Sequence, residues 1–328
     1  MLGRLPLWAQ EQVLMATPTV LVATWRDGLI AIAGANFEHE LKGQPVRGLA
    51  PDGNGGALAV VGGRMLCQRS ATGVWRTIAV SESELSSIVT VSGVIYVGTD
   101  DAEILRLGAS GNLDRVRGFA RVPGRDTWYA GTALIDGKLL GPPLGIRSMT
   151  ATCNGAALLA NVHVGGIPRS VDGGATWHPT INIDEDVHQV LAHETHPDIV
   201  IAAAATGLCI SRDGGETWSI DREGLHGTYC SAVAFAGSDI VVAASDHHFA
   251  AQGGIYRRPL DRPGPLLTVG GGLPKWLDGI VDTACIATHA STLALADRGG
   301  NLYLSEDNGT TWSRRADRLP PPSSILIV

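Results

Sequence analysis

Short apolar runs rich in Val, Ile, Leu and Ala alternate with tight stretches of Gly, Asp, Ser and Asn along the chain, a pattern of strands joined by turns. The fullest unit occupies 187–221. It reads as Val187-His-Gln-Val-Leu-Ala192, Asp198-Ile-Val-Ile-Ala-Ala-Ala204, Leu208-Cys-Ile-Ser211 and Trp218-Ser-Ile220, four strands in succession.

The last turn of this unit, Ser211-x-Asp213-x-Gly215-x-Thr217-Trp218, recurs as Ser170-x-Asp172-x-Gly174-x-Thr176-Trp177 and as Ser305-x-Asp307-x-Gly309-x-Thr311-Trp312. Asp can accept backbone N–H groups across such a turn, Gly can take positive φ, and Trp can bury a large apolar surface. Asp172, Asp213, Asp307, Trp177, Trp218 and Trp312 are therefore structural residues in this reading. The pattern resembles the Asp-box of the BNR-repeat β-propellers, a superfamily that holds sialidases, other glycoside hydrolases and a photosystem II assembly factor beside the broader WD40- and YVTN-like repeats. The resemblance implies an all-β fold of four-stranded antiparallel blades, with strands A to D running outwards from a central axis.

Aligned on 187–221, the chain gives one propeller domain over 1–328 with seven blades: 20–43, 46–80, 85–122, 146–180, 187–221, 229–270 and 280–315. The segment 123–145 fits no blade and reads as an insertion. The second blade carries a shortened turn, Ser70-Ala-Thr-Gly-Val-Trp75, and the sixth has lost its turn to Arg257-Arg-Pro-Leu-Asp-Arg-Pro-Gly-Pro265. The first blade lacks a strand A. Ser323-Ser-Ile-Leu-Ile-Val328 resembles Ser86-Ser-Ile-Val-Thr-Val91 at the start of the third blade, so 323–328 supplies the missing strand and closes the ring.

Composition agrees with this reading, because 42 glycines without a collagen period suit a chain of many turns. A net charge of -7 gives no general attraction for phosphate backbones or anionic lipid, so neither nucleic acid nor membrane is expected as a partner. Residues 1–12 show no signal-peptide h-region, so a cytoplasmic location is expected, and separately the chain is expected to be a monomer. The five cysteines lack metal or disulfide spacing and read as reduced thiols; Cys67, Cys153, Cys209 and Cys285 fall at core strand positions.

Propeller ligands meet the end of the ring where the B-to-C turns and the starts of strand A converge. In this chain those positions carry Trp25, Arg26, Arg47, Asp101, Arg147, His163, His188, Tyr229, Cys230, Asp246, His247, His248, Asp282 and Arg298. Blades four to six concentrate the histidines. His163, His188 and one of His247 or His248 (His247 in the metal assignment) can hold a divalent metal or move protons near neutral pH, although the spacing matches no metal motif.

Three functions follow from this placement. The first is a soluble propeller that binds a small molecule or polypeptide at the axial top face. The second is an enzyme with a His-rich, metal-binding axial site. The third is a sialidase-like glycoside hydrolase, for which the resemblance implies an arginine cluster, a Tyr nucleophile paired with Glu, and an Asp acid. Arg26, Arg47, Arg147, Arg298, Tyr229 and Asp27 are the nearest candidates. The sialidase N-terminal Phe/Tyr-Arg-Ile-Pro motif is absent, Gly166-Ile-Pro-Arg169 has a different order in a mid-chain strand, and no Glu stands beside Tyr229 in the sequence.

Overall fold

A computed structural model describes residues 18–130, 133–135, 138–140 and 144–328. The expectations for residues 1–12 and for Gly141-Pro-Pro143 lie outside the described residues. The rest forms a ring of seven antiparallel four-stranded blades, a seven-bladed β-propeller. Strand A of the first blade is Pro322–Ile327, which pairs with Val20–Thr24, so the C-terminal strand closes the ring as its sequence implies. The sixth blade gains a fifth strand, Leu277–Asp278, hydrogen-bonded to Gln252–Pro259. Ala133–Ile135 and Lys138–Leu140 pair with each other between the third and fourth blades.

In five blades strand B is buried along its whole length because both of its faces meet neighbouring blades. Val20–Thr24, Ala57–Val61, Leu158–Val162, Val200–Ala204 and Thr292–Ala296 are buried throughout. Alternate residues enter two different interfaces: Leu158, Ala160 and Val162 pack towards the third blade, while Leu159 packs with Val187, Val190 and Ala202 of the fifth.

The three Ser-x-Asp-x-Gly-x-Thr-Trp turns share one hydrogen-bond scheme. In each, the Ser Oγ donates to Asp Oδ1 at 2.8 Å and accepts the Gly N–H, while the Thr that precedes Trp donates its N–H and its Oγ1 to the two carboxylate oxygens. Hydrogen bonds from Thr and Ser hold the carboxyls of Asp172 and Asp307 at about 2; at Asp213, burial opposes the same bonds but loses, with the same result. Gly215 illustrates why glycine is required: its φ is +87° and a Cβ there would stand 2.2 Å from Leu159 Cδ2.

The indoles diverge. Trp177 and Trp312 are buried and donate Nε1–H to the carbonyls of Gly174 and Gly309 within their own turns. Trp218 is only half-buried and donates to Thr180 Oγ1 on the fourth blade. The shortened turn of the second blade replaces Asp with a Ser70–Thr72 hydroxyl pair, and Trp75 donates to Glu40 of the first blade.

The cysteine expectation needs one correction. Cys67, Cys209, Cys230 and Cys285 are buried, whereas Cys153 is exposed because strand A of the fourth blade ends at Ala151 and Cys153 falls in the following turn. Cys285 is buried in the turn ahead of Ile286–His289 rather than within that strand. Among the described residues no helix is long and apolar enough to cross a membrane.

Candidate functional site

The top face is assembled by one repeated backbone bond. The N–H of Trp25, Gly62, Asp100, His163 and Ala205, each opening a B-to-C turn, donates to the carbonyl just before strand A of its own blade, Pro321, Pro45, Glu84, Gly145 and Asp186, and in the seventh blade the N–H of Arg298 donates to Ile280 in the segment that leads to strand A. B-to-C turns and strand A starts therefore share one end of the ring in these blades.

A second repeat lies in strand A itself. Ser323, Ser86, Arg147, His188 and Ser231 are each skipped in the A–B pairing, one extra residue forming a bulge, and the second blade has a wider irregularity between Arg47 and Ala50. Of the bulged residues, Ser323, Ser86 and Arg147 line the axial cavity. Four of these five side chains bolt their blade to the next by donating to a carbonyl at or ahead of the start of its strand A: Ser323 to Val46, Ser86 to Ile146 at 2.7 Å, His188 Nδ1 to Cys230 at 2.6 Å, and Ser231 to Val281 in the segment leading to Ile286–His289. Arg147 is the exception. Among the described residues its guanidinium makes no hydrogen bond or ion pair.

Arg147 lines a cavity of about 250 Å³ with Trp25, Arg47, Asp100, Asp282 and the bulged serines Ser86 and Ser323. The other charges around it are paired, Arg47 with Asp100 at 2.8 Å and Arg298 with Asp282 at 3.3 Å. Burial works against ionisation of Asp282, but the Arg147 charge and a hydrogen bond from the Thr283 N–H hold its carboxyl below the usual range.

Beside the cavity, Asp186 stands 3.3 Å from His163 Nε2 and 3.4 Å from His188 Nε2. The Tyr229 ring lies 4.4 Å from the His188 ring, its hydroxyl is 3.2 Å from His248 Nδ1, and Arg298 donates to the His248 carbonyl. Burial opposes ionisation of Asp186, but His188, His163 and Arg147 outweigh it and hold the carboxyl at about 2. Burial raises the Tyr229 hydroxyl well above its ordinary value, the reverse of what a phenolate nucleophile needs.

Burial and the Arg147 charge depress His163 from 6.5 to about 4, against the pull of Asp186. Its folded pKa lies below its unfolded one, so the unfolded chain binds a proton that the native ring refuses. Stability therefore falls as pH is lowered from about 6.5 to 4, by roughly 3 kcal/mol at one pKa unit per 1.36 kcal/mol. Denaturant titrations at pH 7 and 4.5 should show this loss, and His163→Gln should flatten it. The same slope in both proteins would exclude His163 as the source.

The expected site residues divide into those the fold brings together and those it does not. Trp25, Arg47, Arg147 and Asp282 line the cavity, with Arg298 joined to Asp282, while His163, His188, Tyr229 and His248 form the adjoining polar cluster. Arg26 is exposed and outside the cavity lining. Asp101 is exposed and held by Thr99 and Ser83, whereas its neighbour Asp100 faces the cavity. Cys230 packs in the core between blades five and six, and the bulged residue after it, Ser231, bonds Val281 of the next blade instead. Burial raises that thiol strongly.

Asp246 and His247 are exposed and line a separate groove with His226 and Trp276, which leaves His248 as the member of the pair that joins Tyr229. The grouping of His163, His188 and His247 is thus not formed, and among the described residues no three His, Cys, Asp or Glu side chains are placed to share a metal ion. Asp100 and Asp186 fall in the same turns and strand A starts, and Asn161 precedes His163 of the blade-four turn, whereas the bulged residues are set apart by the fold. Their one sequence signal is an apolar-x-Ser start to strand A, as in Leu85-Ser-Ser87 and Ile146-Arg-Ser148.

No family model and no curated protein sequence matches the chain. Among solved structures, an ancestral GH74 enzyme superposes with a TM-score of 0.61 at 13% identity over 95% of this chain and 40% of that one. The likeness is one of fold. The GH74 xyloglucanase from Xanthomonas campestris gives 0.56 at 14% identity over 90% of this chain and 46% of the enzyme. The Pan2 WD40 domain of Neurospora crassa gives 0.53 at 11% identity over 87% of this chain and 78% of that domain. The chain thus spans less than half the length of these GH74 enzymes.

Proposed function

We propose that this propeller is a binding protein whose axial top face takes a small molecule or polypeptide through an anionic group. The observation that carries the reading is Arg147. Its counterparts in blades one, three, five and six bond the neighbouring blade, whereas its guanidinium lines the cavity with no partner among the described residues. A partly buried guanidinium whose donors meet no acceptor is costly, and a carboxylate accepts its planar fork of donors in two parallel bonds. The cavity, about 250 Å³, lies below the roughly 300–1,000 Å³ typical of drug-sized ligands, so a compact group enters it.

Binding fits the site better than hydrolysis does. Asp186 and Asp282 are held ionised and supply no neutral general acid, and Tyr229 is held protonated beside His248 with no Glu as a recorded hydrogen-bond partner. With this reading go the BNR assignment of the three Ser-x-Asp turns, a monomeric state, a cytoplasmic setting and the absence of nucleic-acid or membrane partners, supported by the turn pattern and the net charge of -7.

Titration with acetate and benzoate tests it. Arg147→Met should weaken binding about tenfold or more, the scale of a lost charged hydrogen bond, with little change in Tm. Equal affinity in the variant would place the anion elsewhere.

A further inference from the structure

Four polar atoms between blades four and five have no hydrogen-bond partner although they are buried: Asp186 Oδ1, His188 Nε2 and both amide atoms of Asn161. Asn161 is fully buried and His188 is 1% exposed. Their placement follows from register. Asn161 pairs with Ser148, directly after the Arg147 bulge, and by alternation it shares the face of Leu159, which packs against blade five. The His188 ring is fixed by its Nδ1–H bond to the Cys230 carbonyl, so in the neutral ring Nε2 is an acceptor. That nitrogen is near Asp186 Oδ2 but out of hydrogen-bond alignment, which leaves both groups able to take a further donor.

Each such bond left unmade costs about 1–3 kcal/mol, and the charge of Arg147, which lines the axial cavity, acts on Asp186, the carboxylate among these groups. Three of the four, Asp186 Oδ1, His188 Nε2 and Asn161 Oδ1, are acceptors. One is a carboxylate oxygen. An ammonium group brings three N–H donors and a positive charge, which matches that set in number and sign. Arg147 and Asp186 stand beyond the 4.0 Å of an ion pair, so the two charges do not satisfy each other directly. A ligand carrying both charges would bridge them.

Building on the axial anion site, we infer that the ligand is a small zwitterion of the amino-acid class, its carboxylate on Arg147 and its ammonium on Asp186, His188 and Asn161. The overall neutrality of such a ligand matches a site in which the remaining charges are already paired as Arg47–Asp100 and Arg298–Asp282. Trp25, 45% exposed at the cavity mouth, is placed to cover an apolar side chain.

The test is calorimetric titration of the full chain with L-amino acids bearing small, aromatic and charged side chains, each beside its counterpart lacking the amino group, such as L-alanine beside propionate. At least one amino acid should bind ten or more times tighter than its deaminated counterpart. Asp186→Asn should remove that advantage while leaving the counterpart's affinity unchanged, and Asn161→Ala, which leaves the carboxylate in place, should reduce it in the same direction. Equal binding of acid and amino acid, unaffected by either variant, would overturn the zwitterion and leave the anion site standing, with water satisfying the buried atoms. No binding of either class, in the parent chain or in Arg147→Met, would overturn both.

Discussion

Removing 322–328 should abolish cooperative folding. Pro322–Ile327 is the innermost strand of the first blade, and Ser323, Ser324, Ile325 and Ile327 are buried. Burial of each isoleucine contributes about 1.5–3 kcal/mol. The deletion also strips Val20–Thr24 of its partner, opens an unpaired edge at the axis, and removes the Ser323 bond to Val46 and the Leu49 N–H bond to Ser324 Oγ. These losses together exceed about 5 kcal/mol, the lower end of the stability of a typical domain. Calorimetry should show no sharp transition for the truncated chain. A transition at the parent Tm would mean that the strand is not needed for closure.

The buried tryptophans come next in size. Trp177→Ala and Trp312→Ala should each cost about 3–5 kcal/mol, because the indole leaves a large void and its turn loses an internal donor. Trp177 also abandons an edge-to-face contact with Phe119 at 5.0 Å. Trp218→Ala should cost clearly less, since that ring is half-exposed and its donor reaches the neighbouring blade rather than its own turn. Urea midpoints for the three variants test the order. A loss at Trp218 equal to the other two would show that exposure does not govern this set, and unchanged stability with lost ligand binding would move these residues from structure to function.

The order of these tryptophans marks where sequence reasoning stops. All three turns match at Ser, Asp, Gly, Thr and Trp, and that match suffices to fix the turn, because the Ser and Asp side chains satisfy backbone groups within a few residues of themselves. Which way each indole leans depends on what the adjacent blade offers, Phe119 against Trp177 but the Thr180 hydroxyl against Trp218. No local pattern carries that information.

The same division runs through the candidate site. Val20–Thr24 without a preceding strand, and an apolar segment at 323–328 without a following one, made ring closure legible, because an unpaired inner strand must find a partner. Likewise, the register of the repeats and the antiparallel order of their strands placed His163, His188, Arg147 and Asp282 at one end of the axis.

The sequence by itself determined the elements, their order, the three polar turns and the end of the ring where charge collects, since each follows from local hydrogen bonding or from a two-residue period. Only the tertiary structure decided which side chains reach the axis. One bulged residue in strand A shifts the alternation across it, so that Cys230 packs in the core between blades five and six while Ser231 bonds Val281 of the next blade, and the loop after strand B sends His247 to a separate groove while His248 meets Tyr229. Arg147 stands apart for the same reason: it occupies the bulge position from which serine or histidine clasps the next blade, and whether a side chain there clasps or stays free depends on the carbonyl opposite it.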